Sequence, residues 1–275
     1  MKPNFLIIGA QKCATTSLYY WFSQHPDIFM STPKEPMFFT KDENYNQGGK
    51  WYESLFAGSE GCKAIGEATA ELTIKSLRPN AADRVYKHLP KAKLIYIVRN
   101  PVERVRSAWM WGRRVWPKMD ASFSVAIKNH PQLIDGSLYW KQINVYRKLY
   151  SDDHILVLFM EDLKMNPKAI LDQCFEFLNV KPFIPKDISS PQNVSTGGRY
   201  VYGFLNWLRW RKDILFLKGF IPKRMHQPIK KLFSRQAFKP EWEPNVKKYV
   251  IDQVKDDAKK FLKFYGKADD FWTFH

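Results

Sequence analysis

The stretch "FLIIGAQKCATTSLYYW", Phe5 to Trp21, decides the fold. Its first five residues are an apolar run ending in Gly9, the next few are small or polar, and the remainder is long enough for a helix opened by hydroxyl residues. That order reads as a buried strand, a turn and a helix, the layout in which free N–H groups at a helix start hold an anion. A nucleotide-triphosphate loop requires G-x-x-x-x-G-K-[ST]. Counted from Gly9, the second glycine falls on Ala14 and the lysine on Thr15, so that pattern fails. What survives is Gly9 for a tight turn, Lys12 as a cation, and Ala14 to Ser17 opening a helix whose N–H groups and hydroxyls favour an anion. Alternatively Thr15, Thr16 and Ser17 only cap that helix and Lys12 is solvated.

Working outward, strand signals recur as short apolar runs at 63–68 ("KAIGEA"), 92–98 ("AKLIYIV") and 154–160 ("HILVLFM"). Helix-length stretches lie between them, among them "NAADRVYKHL", "PVERVRSAWMWGRRVW" and "GSLYWKQINVYRKLY", and an amphipathic stretch from Val246 to Gly266 closes the chain. Strands alternating with helices predict right-handed βαβ units: an α/β, three-layer fold with a central, mostly parallel sheet flanked by helices. Ligands in such sheets sit at the carboxyl ends of the strands. The 275 residues are read as one domain, 1–275. A chain of that size buries a core without metal or disulfide.

The formal charge is +17, from 44 basic and 27 acidic residues. Such an excess calls for an anionic partner: nucleic acid, an acidic membrane surface, an acidic glycan or a phosphorylated ligand. The segment Arg199 to Lys239 holds 11 basic residues against Asp213 alone, and so carries +10 of the total. Cys13, Cys62 and Cys174 are far apart and lack C-x-x-C spacing. Neither a disulfide framework nor a zinc site is expected, and a reducing, cytoplasmic setting follows. The opening apolar run is broken at Gln11 and Lys12, too soon for a signal peptide or a membrane span, so any membrane contact is expected to be peripheral.

A second anion feature is "KLIYIVRNPVERVRSAW". A magnesium-holding strand would end in an acid, whereas this one ends in Arg99 and turns through Asn100 into Pro101, a good first helical residue. Arg99 offers a planar fork for a phosphate, and Ser107, less than two helical turns beyond Pro101, brings a hydroxyl to the same side. A metal-dependent nucleotidase or kinase is therefore disfavoured. An Arg99 salt bridge with a solvated Ser107 is the plainer alternative.

"GAQKCATTSLYYWFSQHP" resembles the 5′-phosphosulfate loop, and "IVRNPVERVRSAW" the 3′-phosphate element, of sulfotransferases that use 3′-phosphoadenosine-5′-phosphosulfate (PAPS). The resemblance continues in order through "KEPMFF", "YNQGGKWYESLF", "GEATAEL", "HILVLFMEDLKMNPKAILDQCFEFLNV" and "NVSTGGR". It implies a P-loop-like fold and a PAPS donor site formed by Lys12, Cys13, Ala14, Thr15, Thr16 and Ser17, with Arg99 and Ser107 on the 3′-phosphate. In "NVSTGGR" it implies a second 3′-phosphate loop, with Thr196, Gly197, Gly198 and Arg199. Ala14 replaces a frequent glycine, so ordinary helical torsions are expected there.

By the same resemblance Lys12 steadies the leaving oxygen and Glu35 of "KEPMFF" is the general base, with no metal required. The base must reach the acceptor proton; the alternative is a Glu35 idly paired with Lys34 or Lys12. The branch resembled acts on heparan-type and other carbohydrate acceptors, although Ala68 stands where that branch usually has a substrate-touching lysine. Glu67 matches a family acid. His25, Glu161 and Asp162 are read as structural, and Trp51, Tyr52 and Tyr139 as candidate cleft linings or core. The basic stretch 199–240 is read as a cleft cover with some role in holding an anionic acceptor, contact of its Trp, Phe, Lys and Arg with an anionic membrane surface being the alternative. The acceptor expected is a carbohydrate or glycolipid hydroxyl (or amine), with a small natural product or alkaloid as alternative. A non-catalytic nucleotide- or nucleic-acid-binding protein is the competing class, disfavoured by the absence of any helix-turn-helix, RNA-recognition or zinc-finger signature.

Overall fold

A computed structural model describes residues 1–116, 118–188, 199–201, 234–236 and 240–274, the two three-residue pieces as backbone only. Five strands form one sheet: β1 (Phe5–Gly9), β2 (Ile28–Met30), β3 (Ala64–Ala68), β4 (Lys93–Val98) and β5 (Ile155–Phe159). Their order is β2-β3-β1-β4-β5 and every pairing is parallel. β1, β3 and all but the first residue of β4 are fully buried, which is why these strands read as unbroken apolar runs rather than alternating ones. The four runs noted in the sequence are β1, β3, β4 and β5.

Helices α1 (Thr15–Phe22), α2 (Ala81–His88), α3 (Pro101–Val115), α4 (Tyr139–Arg147), α5 (Pro167–Phe177) and α6 (Pro244–Phe264) flank the sheet. α3 starts where the sequence places it: Pro101 is its first residue, and Asn100 Oδ1 accepts from the N–H groups of Val102 and Glu103 at 3.0 and 3.2 Å. α6 closes the domain by burying Val250, Val254, Ala258, Phe261 and Leu262, and Asp257 on it accepts from the Trp140 and Lys141 N–H groups at 2.9 Å each, satisfying the start of α4.

The chain leaves β1 towards β2 at one edge, returns through β3, and then crosses β1 to reach β4. The turn after β1 therefore sits where the winding direction reverses, the crevice in which open α/β sheets bind ligands. The turns after β3 and β4 end beside it. A 3-10 turn, Ala70–Thr73, follows β3 and presses on the end of β1. A Cβ on Gly9 would lie 2.3 Å from Thr73 Oγ1, so glycine is required there for close approach as well as for the turn.

Two short strands, β6 (Arg199–Val201) and β7 (Ser234–Gln236), pair antiparallel, and the backbone of β6 packs beside α3. The rest of the 199–240 segment, and with it the reading of a cleft cover, lies outside the described residues. No described helix is long and apolar enough to cross a membrane.

Candidate active site

The turn from Ala10 to Ala14 is held in a strained shape by its surroundings. Lys12 and Ala14 adopt left-handed torsions, φ 72 and 66. The expectation of ordinary helical torsions at Ala14 is thus corrected: Ala14 is the residue before the helix, not part of it, in a left-handed conformation that glycine adopts more readily. No side chain caps α1. Among the described residues, the N–H groups of Lys12, Ala14, Thr15 and Thr16 have no hydrogen-bond partner, so the turn presents a cluster of donors at the positive end of a helix.

What fixes the turn from below is Arg104 of α3, only 1% exposed. Its Nε donates to Gln11 O (3.1 Å), Nη2 to Gln11 Oε1 (3.5 Å), and Nη1 to Leu133 O (2.9 Å) and Ser137 Oγ (3.4 Å). No described carboxylate is paired with it, so a whole positive charge lies buried beneath this turn. Sequence reading passed over Arg104, whose signal was its place on α3 between Arg99 and Ser107.

A cleft of about 280 Å³ opens on the turn, lined by Lys12, Thr15, Thr16, Glu35, Lys34, Gln11, Ala70, Glu71 and Trp111. Of the predicted donor residues it brings Lys12, Thr15 and Thr16 together with Glu35; Cys13, Ala14, Ser17, Arg99 and Ser107 are not in its lining. Burial, and then the charge of Arg114 followed by Arg99 and Arg104, lower the Lys12 ammonium from 10.5 to about 8. Arg99 follows β4 at the same sheet edge, partly exposed, with no hydrogen bond or ion pair to any described residue. Ser17 and Ser107 are buried, each with an interaction of its own. Cys13 is buried, its thiol pushed up to about 11 by desolvation, 3.9 Å from Tyr139 Oη. Thr196, Gly197 and Gly198 lie outside the described residues, and of Arg199 only the backbone is described.

Glu35 also has a left-handed backbone, φ 58, and pairs with Lys34 Nζ at 2.7 Å. Behind it Glu67, 0% exposed, accepts from Tyr52 Oη (2.8 Å) and Thr69 Oγ1 (2.6 Å). Burial drives its carboxyl up from 4.5 to about 7 despite those bonds. Tyr52 and Tyr139 are core residues: Tyr52 stacks on Phe38, and Tyr139 meets Phe261 and Trp272. Trp51 packs against the same core, near Phe38. His25 is structural, bonded to Lys181 O and to the Asp27 N–H and packed on Phe175 and Phe183. Glu161 and Asp162 are structural too, accepting from the Asn100 N–H and from Lys267 Nζ. Glu71 and Trp111 were missed. Glu71 follows a strand end by three residues, and Trp111 lies one turn beyond Ser107, which are the signals that would have found them.

Residues 2–190 match the family model described as the sulfotransferase domain. The membrane-associated sulfotransferase kil1 of Dictyostelium discoideum is 35% identical over 141 residues, 48% of this chain and 29% of its own length. Human bifunctional heparan sulfate N-deacetylase/N-sulfotransferase 2 is 24% identical over 201 residues, 66% of this chain and 22% of its own length. The chain thus spans less than a third of the length of these curated relatives. A solved sulfotransferase from Alicyclobacillus acidocaldarius shares the fold with a TM-score of 0.70 at 24% identity, over 99% of each chain. A mouse sulfotransferase complexed with PAP does so with a TM-score of 0.54 at 14% identity, over 97% of this chain and 89% of its own. The fold is the P-loop-like α/β fold of these proteins, and with well over half its length matched by the family model the chain belongs to the sulfotransferase family.

Proposed function

We propose that the protein transfers a sulfuryl group in line from PAPS to a hydroxyl or amine of a carbohydrate or glycolipid acceptor, releasing adenosine 3′,5′-bisphosphate (PAP). The observation that carries this is the joining in one cleft of Lys12, Glu35, and Thr15 and Thr16, whose N–H groups have no partner among the described residues. Lys12 and the turn N–H groups bind the 5′-phosphosulfate end, Arg99 and Ser107 the 3′-phosphate, with the 196–199 stretch completing that subsite. As the acceptor oxygen or nitrogen bonds to sulfur, Glu35 takes the acceptor proton, and the bond from sulfur to the bridging oxygen breaks. Lys12 stabilises the negative charge left on that oxygen. Glu35 is free for this role once an acceptor draws it from Lys34.

No metal is assigned a role: phosphate and sulfate charge is met by Lys12, Arg99 and the buried Arg104. Residue 68 is alanine where heparan-type relatives usually carry a lysine, so a heparan-like acceptor is not assumed. Three free thiols fit a reducing, cytoplasmic setting, with peripheral membrane contact through the 199–240 stretch as the other arrangement considered.

The test is calorimetry with PAP, ATP and a short oligonucleotide, followed by radiolabelled transfer from PAPS to glycan and glycolipid acceptors. PAP is expected to bind at least tenfold more tightly than ATP, and Arg99→Ala to weaken PAP while sparing adenosine 5′-phosphosulfate, since a charged hydrogen bond is worth about 1.5–3 kcal/mol. A preference for ATP or for the oligonucleotide would refute the reading.

A further inference from the structure

The cleft has a second carboxylate that the reaction leaves unused. Glu71, 7% exposed, stands in the 3-10 turn after β3 and lines the same cleft as Lys12 and Glu35. Arg78 grips it from behind, with Nε at 3.0 Å and Nη2 at 2.7 Å, and both bonds fall on the one oxygen Oε2. Oε1 accepts nothing from any described residue. A nearly buried carboxylate with one oxygen clamped and the other open is held in a fixed direction, and its open lone pairs want a donor. Of the cations in the described lining, Lys34 pairs with Glu35, and Lys12 is assigned to the phosphosulfate by the function proposed above.

We propose that Glu71 is a specificity residue: Oε1 accepts a hydrogen bond from an ammonium or hydroxyl group of the acceptor beside the sulfated atom. The cleft then favours neutral or amine-bearing acceptors and rejects those that bring a carboxylate or sulfate to that place. A like charge set against a desolvated carboxylate is repelled, whereas an ammonium gains a charge-assisted bond. The inference rests on the function proposed above.

Two probes of equal length separate the cases: a tetrasaccharide of glucosamine, which carries amines, and one of alternating N-acetylglucosamine and glucuronate, which carries carboxylates. Acceptor kcat/KM is measured with saturating PAPS for the wild type, Glu71→Gln and Glu71→Lys, with PAP binding by calorimetry as the check on fold and donor site. The wild type is expected to prefer the amine probe by roughly tenfold or more, the size of one charged hydrogen bond. Glu71→Gln narrows that ratio and Glu71→Lys reverses it, with KM for PAPS within about twofold of wild type, because a merely structural Glu71–Arg78 clamp would lower both probes alike. Should Glu71→Lys fail to bind PAP, the Glu71→Gln ratio decides. A wild-type preference for the carboxylate probe, a ratio unmoved by the variants, or PAP binding with neither probe sulfated would overturn the inference. Failure of PAP to bind the wild type would instead overturn the proposed function.

Discussion

Replacing Lys12 by Met should stabilise the ligand-free protein while abolishing donor binding. Lys12 is held charged in a partly buried turn among Arg114, Arg99 and Arg104, which is what lowers its ammonium from 10.5 to about 8. At about 1.4 kcal/mol for each tenfold change in proton affinity, keeping it charged at pH 7 costs the folded state about 3 kcal/mol. Solvent screening of a partly exposed side chain reduces that to about 1–3 kcal/mol. The sign follows from proton counting: between about pH 8 and 10.5 the unfolded chain binds more protons than the folded one, so wild-type stability rises with pH there. Methionine keeps the stem and removes the charge. Urea unfolding without ligand should therefore find Lys12→Met more stable by about 1–3 kcal/mol at pH 7, and by under about 1 kcal/mol at pH 10. PAP should raise the melting temperature of the wild type and leave that of the variant unmoved. A variant less stable than wild type at pH 7, or a gap that does not shrink on going to pH 10, would refute the reasoning.

Three further outcomes are expected. Glu35→Gln should cut turnover by about 10²–10⁴-fold, the usual share of a general base, with PAP affinity within twofold by calorimetry; near-normal turnover would remove Glu35 as the base. Ala14→Gly should raise stability by about 0.5–1 kcal/mol in urea unfolding, since φ 66 strains alanine and not glycine, and a loss would show that the left-handed turn is not what the free chain adopts. Glu67 is protonated in the folded state up to about pH 7 and in the unfolded chain only up to 4.5, so its contribution is present below 4.5 and lost as pH rises through 7. The stability of wild type relative to Glu67→Gln should accordingly fall by about 2–3 kcal/mol between pH 5 and pH 8, and a pH-independent difference would contradict a buried, raised carboxyl.

The sheet was legible because its strands are buried on both sides and announce themselves as apolar runs. β2 was not, since Ile28–Met30 is too short for any period to show and is a strand only because β3 pairs with it. The residues proposed to hold the donor were legible because strand-end Gly9, Lys12 and Arg99 carry their chemistry at positions that the βαβ winding fixes. Glu71 and Trp111 were not: they reach the cleft through a 3-10 turn and a helix face that no local pattern reveals. Tyr52 and Tyr139 could line a cleft, though aromatic residues are more often core, and burial against Phe38, Phe261 and Trp272 decides for the core.

Ala14 was misread for a reason that bears on how the site works. Alanine has no preference of its own for left-handed torsions, so nothing in the local sequence signals them; tertiary contacts impose them, through Arg104 on Gln11 and through Gly9 beneath Thr73. Lys12 and Glu35, the two residues assigned to the chemistry, share the left-handed backbone. The same packing that bends the turn also buries Arg104 and crowds three arginines near Lys12. Strain and charge repulsion thus coincide at this turn, and on the proposed function the dianionic 5′-phosphosulfate end of the donor relieves the repulsion without having to reorganise the turn. Donor affinity and the instability of the ligand-free turn are one interaction seen from two sides, which is why Lys12→Met should gain the second and lose the first.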